Sequence, residues 1–320
     1  MISRQVFIGG CGRSGTTLLG SMLGAHTSMV ATPESHFKSE LGLLASGEDV
    51  QEDLGSQWSR IRIHWRFRIW DFDPGLPPRP MQAPELLLWL VERYAASVGQ
   101  PSATVWVDHT PENLLNWDAL FDAFPNALGI HLVRDGRAVA ASVRPLRWGP
   151  KTMMGCANWW KKRAQAGLQA EQQYDDRLIR VRFEDLVDSP EKSLERLTDF
   201  LGVPYQPEMK PGDGFEKPAY TLAQHRLVGS LPQKSRSQAW KQTLGSRDIE
   251  IFEAECGPLL ESLGYPLCTE SPRPLCGFAR AGSHTLEKIY QWILLPLHRI
   301  PTRGPYVLSG LQQRLRDWLP

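Results

Sequence analysis

The element that most restricts the fold is Gly-Cys-Gly-Arg-Ser-Gly-Thr-Thr at residues 10–17, set between an apolar run at 5–9 and a helical pattern over 15–25. A strand that runs into glycines and then into hydroxyl residues opening a helix gathers successive backbone N–H groups around one point. Such a point binds an oxyanion, because the unpaired N–H groups and the helix dipole both favour negative charge there. The glycines permit the tight turn, and the strand before them belongs in a sheet covered by helices.

The rest of the chain fits that sheet. Residues 104–107, 127–133 and 178–183 are further short β-type runs. Longer helical patterns separate them, over 84–98, 111–124, 136–143, 158–174, 190–201 and 248–263. Strands alternating with helices imply an α/β class, a single P-loop-like domain with a central parallel sheet flanked by helices. We place it at residues 1–266. A linker at 269–274 opens a C-terminal helical extension, 267–320, with amphipathic segments around 286–297 and 306–319. These segments are open to three roles: packing on the domain, homodimer contact or a peripheral membrane surface. Residues 46–82, rich in Trp, Arg and Pro, and 207–237, rich in Pro, Gly and Lys, break the rhythm and read as long loops. The first is a natural acceptor-binding segment. Within it, His64-Trp65-Arg66-Phe67-Arg68-Ile69-Trp70 suits a sugar face or an anion, and equally an element with alternating burial.

Net charge is +1, so no global field argues for nucleic acid or for an anionic membrane, and any basic site must be local. The five scattered cysteines form no CxxC pair, which leaves free thiols and no metal site. Residues 1–9 lack a signal pattern, and no apolar run reaches the roughly 18 residues of a spanning helix. The expected location is cytoplasmic, with a peripheral membrane association left open by the C-terminal segments.

The loop approximates a Walker A motif, but Thr16 stands at the lysine position and Arg13 supplies a cation earlier. Losing that lysine argues against an ATPase or GTPase, where it holds the terminal phosphates. Asp108 is the one good candidate for a Mg²⁺ partner. A kinase or hydrolase without its lysine, and an inactive binder of adenosine 3′,5′-bisphosphate, remain open at this point.

Three stretches together resemble the sulfotransferase family, which uses 3′-phosphoadenosine-5′-phosphosulfate (PAPS). The loop is similar to that family's 5′-phosphosulfate loop. His131-Leu-Val-Arg134-Asp-Gly-Arg-Ala-Val-Ala-Ala-Ser142 is similar to its 3′-phosphate segment, and Arg182-Phe183-Glu184-Asp185-Leu186 with Pro190 and Phe200-Leu201-Gly202 to a later one. The motifs look most like those of the tyrosylprotein and heparan-type enzymes and their bacterial relatives. Those animal enzymes carry an N-terminal membrane anchor, so the resemblance implies a bacterial, cytoplasmic member.

The resemblance implies roles residue by residue. Gly12, Arg13, Ser14, Gly15, Thr16 and Thr17 would hold the 5′-phosphate, with Arg13 stabilising charge on the leaving group. Arg134 and Ser142 would recognise the 3′-phosphate, and Phe183, where many relatives have tyrosine, would stack on adenine. Arg236, Ser237 and Lys241 would be late-loop donors, a weaker match; Arg137 reads as structural. Glu34, 21 residues beyond Arg13, occupies the place of the catalytic base, with His109 its rival and an ion pair to Lys38 its structural alternative. The acceptor would bear a hydroxyl on carbohydrate, glycolipid, peptidyl tyrosine, phenol or alcohol, with no metal required.

Overall fold

The computed structural model describes residues 1–44, 54–79, 81–215, 229, 231, 233 and 235–295. Parts of the two long loops expected at 46–82 and 207–237, and the segment 306–319, lie outside these residues. Five strands form one sheet: β1 (Arg4–Gly10), β2 (Met29–Thr32), β3 (Val105–Asp108), β4 (Leu128–Val133) and β5 (Leu178–Arg182). Their order is β2-β3-β1-β4-β5 and every pairing is parallel. The α/β class and the helix-flanked parallel sheet are therefore as expected.

Alternation within β1 explains the two layers. Val6 and Ile8 point to one face, joining Leu19, Met22 and Leu23 of the helix Thr16–Gly24 and Leu194 and Leu197 of the helix Pro190–Leu201. Phe7 points to the other, joining Trp106, Phe124 and the helices Ala83–Ser97 and Trp117–Ala123. A strand covered on both faces is apolar nearly throughout, and six of the seven β1 residues are buried.

The chain leaves β1 toward β2 and β3 on one side of the sheet, then crosses to β4 and β5 on the other. This reversal places the topological switch point at the carboxyl end of β1, where ligands of open α/β sheets gather.

Several elements depart from the expectations. β2 is an additional strand, only four residues long and packed close behind the loop helix. Within the segment expected to be a loop, residues 54–72 instead carry the helices Leu54–Ile63 and Trp65–Arg68. Phe67, Trp70 and Phe72 pack edge-on and tilted against Phe37, Trp58 and Tyr94, forming an aromatic layer. Phe67 and Trp70 are thus core, Trp65 lies half-buried under the Arg66 guanidinium, and His64 and Arg66 pair with Glu40. Finally, Phe183–Asp188 forms a helix at the end of β5.

The described residues divide into two compact units, 1–134 with 163–234 and 135–162 with 235–320. The second contains the helices Gly136–Val143, Ser246–Ser262 and Gly277–Ile289. At its centre the Arg137 guanidinium contacts Asp135 at 2.8 Å and Glu253 at 2.5 Å, and lies 4.3 Å over the Trp240 ring. The structural reading of Arg137 holds. No helix among the described residues is long and apolar enough to cross a membrane.

Candidate active site

Each of the five strands ends in a residue or loop that the sequence singles out. β1 runs into the glycine loop, β2 is followed two residues later by Glu34, and β3, β4 and β5 lead directly into His109, Arg134 and Phe183. All lie at the carboxyl edge of one parallel sheet.

In the loop, Arg13 has φ 73° and Gly15 φ 99°, two left-handed residues that reverse the chain before the helix begins at Thr16. The Ser14 N–H closes a turn on the Cys11 carbonyl at 3.0 Å, and the Leu19 N–H donates to Gly15. Ser14 is fully buried, and its hydroxyl has no partner among the described residues. An orphaned hydroxyl inside an N–H-rich turn fits an anion's oxygen, because buried polar groups left unpaired are unfavourable. Gly15 is required twice: by its φ, and because a Cβ there would fall 2.6 Å from the Phe183 ring.

Arg134 joins the loop to β5. Its Nη1 donates to the Arg13 carbonyl at 2.7 Å, and its guanidinium lies 4.3 Å over Phe183. The loop residues, Arg134 and Phe183 are thus brought together. Ser142, Ser237 and Lys241 belong to the second unit, where they are half-buried, buried and exposed respectively. Lys241 Nζ lies 5.7 Å from the Trp240 ring centre. The Arg236 side chain lies outside the described residues.

Beyond β2 and β3 the site is held by charge. Lys38 and Asp108 are both fully buried and paired at 2.7 Å. Lys38 also donates to Ser35 Oγ at 2.8 Å, and Ser35 Oγ–H donates to Asp108. The other Asp108 oxygen accepts from the Thr110 N–H at 2.9 Å and its hydroxyl at 2.6 Å. Both oxygens of the one Mg²⁺ candidate are therefore engaged, and Lys38 belongs to Asp108 rather than Glu34. Burial would raise the Asp108 carboxyl, but Lys38 and the hydroxyl donors hold it at about 2. Among the described residues no group of three or more His, Cys, Asp or Glu could hold a metal ion.

This buried clamp fixes the turn that carries Glu34. The Glu34 carboxylate meets His36 Nε2 at 2.8 Å, while His36 Nδ1 meets Glu112 at 3.2 Å. Burial pushes the Glu34 carboxyl up, yet the hydrogen bond and charge of His36, with His109 and Arg66 behind it, bring it down to about 2. The direct partner of Glu34 is therefore His36, with Arg66 the permanent cation behind it. Sequence reasoning named Lys38 only as a partner for Glu34 and missed His36, Glu112 and the Lys38–Asp108 pair; their signal was a charged run after one strand end matched by another 70 residues on.

The two candidate bases differ in access. The Glu34 side chain keeps 22% of its surface exposed, whereas His109 keeps 1% as a residue. The His109 ring lies against Gly20 of the loop helix and edge-on to Phe215 at 5.0 Å. Neither ring nitrogen has a hydrogen-bond partner among the described residues. Burial lowers the His109 pKa and keeps the ring neutral, against the opposing pull of Glu34 and Asp108.

The sequence model of the sulfotransferase family matches residues 5–207, which spans all five strands and the site residues of the first unit. The chain belongs to the sulfotransferase family. It is 23% identical over 291 residues to protein-tyrosine sulfotransferase A of Caenorhabditis elegans, covering 81% of this chain and 67% of that protein. It is 26% identical over 271 residues to protein-tyrosine sulfotransferase 1 of Danio rerio, covering 81% and 72%. Of the Drosophila melanogaster protein-tyrosine sulfotransferase the match spans about half, 51%. Among solved structures, the sulfotransferase domain of the Synechococcus PCC 7002 olefin synthase superposes with TM-score 0.57 at 23% identity, over 83% of this chain and 96% of that one. The sulfotransferase domain of the curacin biosynthetic pathway gives 0.56 at 22%, over 82% and 98%. These two structures share the fold.

Proposed function

We propose that the chain transfers a sulfuryl group from PAPS to a hydroxyl acceptor, with Glu34 as the base and adenosine 3′,5′-bisphosphate as the other product. The observation that carries this reading is the convergence of all five strand ends on residues suited to it. The S–O bond to the donor phosphate breaks as the S–O bond to the acceptor forms. The acceptor proton passes to Glu34.

Arg13 offers a permanent charge to the leaving phosphate oxygen. The N–H groups and hydroxyls of Ser14, Gly15, Thr16 and Thr17, with Gly12 giving close approach, hold the 5′-phosphate. Arg134 supplies charge for the 3′-phosphate and Phe183 an aromatic face for adenine. The assignments of Ser142, Arg236, Ser237 and Lys241 to the nucleotide rest on the sequence resemblance. Glu34 keeps an exposed edge for an acceptor and is ionised at neutral pH, so it can receive the proton where it stands. Its low pKa weakens it as a base, and proton uptake is then aided by charge developing on the acceptor as the S–O bond forms. Tyrosine-type acceptors are favoured by the relatives found, and we propose a bacterial, cytoplasmic setting for the enzyme.

His109 is the second reading for the base, favoured by its neutral ring and two unpartnered nitrogens. The test is transfer of sulfur label from PAPS to tyrosyl peptides, sugars and simple phenols in the presence of chelator. Arg13→Ala should lower kcat by about 10²–10³ and Glu34→Gln by about 10²–10⁴. Undiminished transfer by Glu34→Gln with loss in His109→Gln reassigns the base. Dependence of turnover on Mg²⁺ would overturn the reaction itself.

A further inference from the structure

The helix Gly277–Ile289 and its continuation Tyr290–Leu294 are turned the wrong way round for a helix that packs on a core. The groups it turns toward the protein are polar: Glu287, Arg280 and the Tyr290 hydroxyl. Glu287 accepts from the Lys151 and Thr152 N–H groups at 3.0 and 3.1 Å and from the Thr152 hydroxyl at 3.2 Å, capping the helix that begins at Met153. A Cβ at Gly155 would fall 2.4 Å from the Glu287 carboxylate, so glycine there admits it. Arg280 pairs with Glu255 at 2.5 Å, and the Tyr290 hydroxyl donates to the Arg147 carbonyl.

The apolar residues face outward. Phe278 is 92% exposed, Leu286 62%, Ile289 43%, Trp292 45% and Ile293 53%, and no residue of either stretch is buried. Amphipathic helices of water-exposed domains do the reverse, and contiguous exposed apolar surface marks a binding face.

Charge says what covers it. Residues 277–320 contain six Lys and Arg against two acids, while the whole chain nets only +1. Lys288 lies on the same helix beside the stripe, and the exposed Arg147 and Trp148 adjoin it through the Tyr290 contact. An apolar stripe carrying Trp and Phe, bordered by cations, is the composition of a helix lying in the plane of an anionic lipid surface. We propose that this face docks on the headgroup region of an anionic membrane, with Phe278, Leu286, Ile289, Trp292 and Ile293 entering the acyl boundary and Lys288 and Arg147 at the phosphates. The inference is independent of the reaction assigned to the sheet.

The test is flotation of the full chain with vesicles of phosphatidylcholine alone and of phosphatidylcholine mixed with phosphatidylglycerol, beside light scattering of the free protein. The protein should float with the anionic vesicles, and less with neutral ones or at high salt. Ile289→Asp with Ile293→Asp should lower partitioning at least about tenfold, with unchanged circular dichroism because both side chains are exposed. Flotation equal in the variant and the parent, or absent from both, overturns the proposal. So does a concentration-dependent dimer that the variant dissolves while vesicles bind neither form, since a second copy would then cover the face.

Discussion

Residues 11–15, after β1, take their shape from backbone conformation, through two left-handed residues and a short turn onto Cys11. Residues 33–38 and 108–112, after β2 and β3, take theirs from buried charge, with Lys38, Asp108, Glu34, His36 and Glu112 joined side chain to side chain. The two regions meet the same requirement, a rigid rim at the carboxyl edge of the sheet, with opposite chemistry. The backbone loop leaves the buried Ser14 hydroxyl without a partner among the described residues. In the charge-built rim the ionised groups are already paired, and what stays accessible is an edge of Glu34 and of Glu112.

This contrast can be broken most sharply at Lys38. Lys38→Met leaves Asp108 buried without its counter-ion and should destabilise the protein by about 3–5 kcal/mol, read by denaturant unfolding. A loss below about 1 kcal/mol would mean that the hydroxyl donors alone hold the rim. Gly15→Ala probes the other region. A left-handed alanine, with its Cβ against Phe183, should cost about 1–3 kcal/mol and weaken nucleotide binding by calorimetry. Unchanged affinity would show that the loop's geometry does not matter to its ligand.

His36 sharpens the comparison, because it acts on Glu34 without adding catalytic groups of its own. In His36→Asn the hydrogen bond and charge of His36 on Glu34 are gone, while burial still raises the carboxyl and Arg66 still lowers it. The acid limb of the kcat/KM profile should then move up from about 2, with turnover at neutral pH falling less than in Glu34→Gln. An unmoved limb with lost activity assigns His36 a purely structural part.

The smallest effect is on stability against pH. His109 is buried neutral, so below its unfolded pKa of 6.5 the unfolded chain binds a proton that the folded one excludes, and stability declines as pH falls from there. The depressed carboxyls of Glu34 and Asp108 add a steeper decline from their unfolded values near 4 down to about 2. His109→Gln should flatten only the first part of the curve; persistence of that slope would place its origin in another histidine.

The backbone-built region was legible from sequence and the charge-built one only in part. Glycines after an apolar strand are a local signal, as are Arg134 and Phe183 at the ends of short β runs. Glu34 and His109 could be singled out, but the Lys38–Asp108 and His36–Glu112 contacts join residues more than 65 positions apart, and no local pattern encodes such pairs. The helices within 54–72 were hidden because their stabilisation comes from interlocking aromatics rather than from a 3.6-residue aliphatic repeat.

Gly20 has a mechanical consequence. With no side chain there, the His109 ring rests directly on the helix that begins at the anion loop, and a Cβ would fall 2.6 Å from it. Packed interiors transmit displacement with little compression. Any displacement of that helix would therefore press directly on the tip of β3, and a side chain at position 20 would push the two apart.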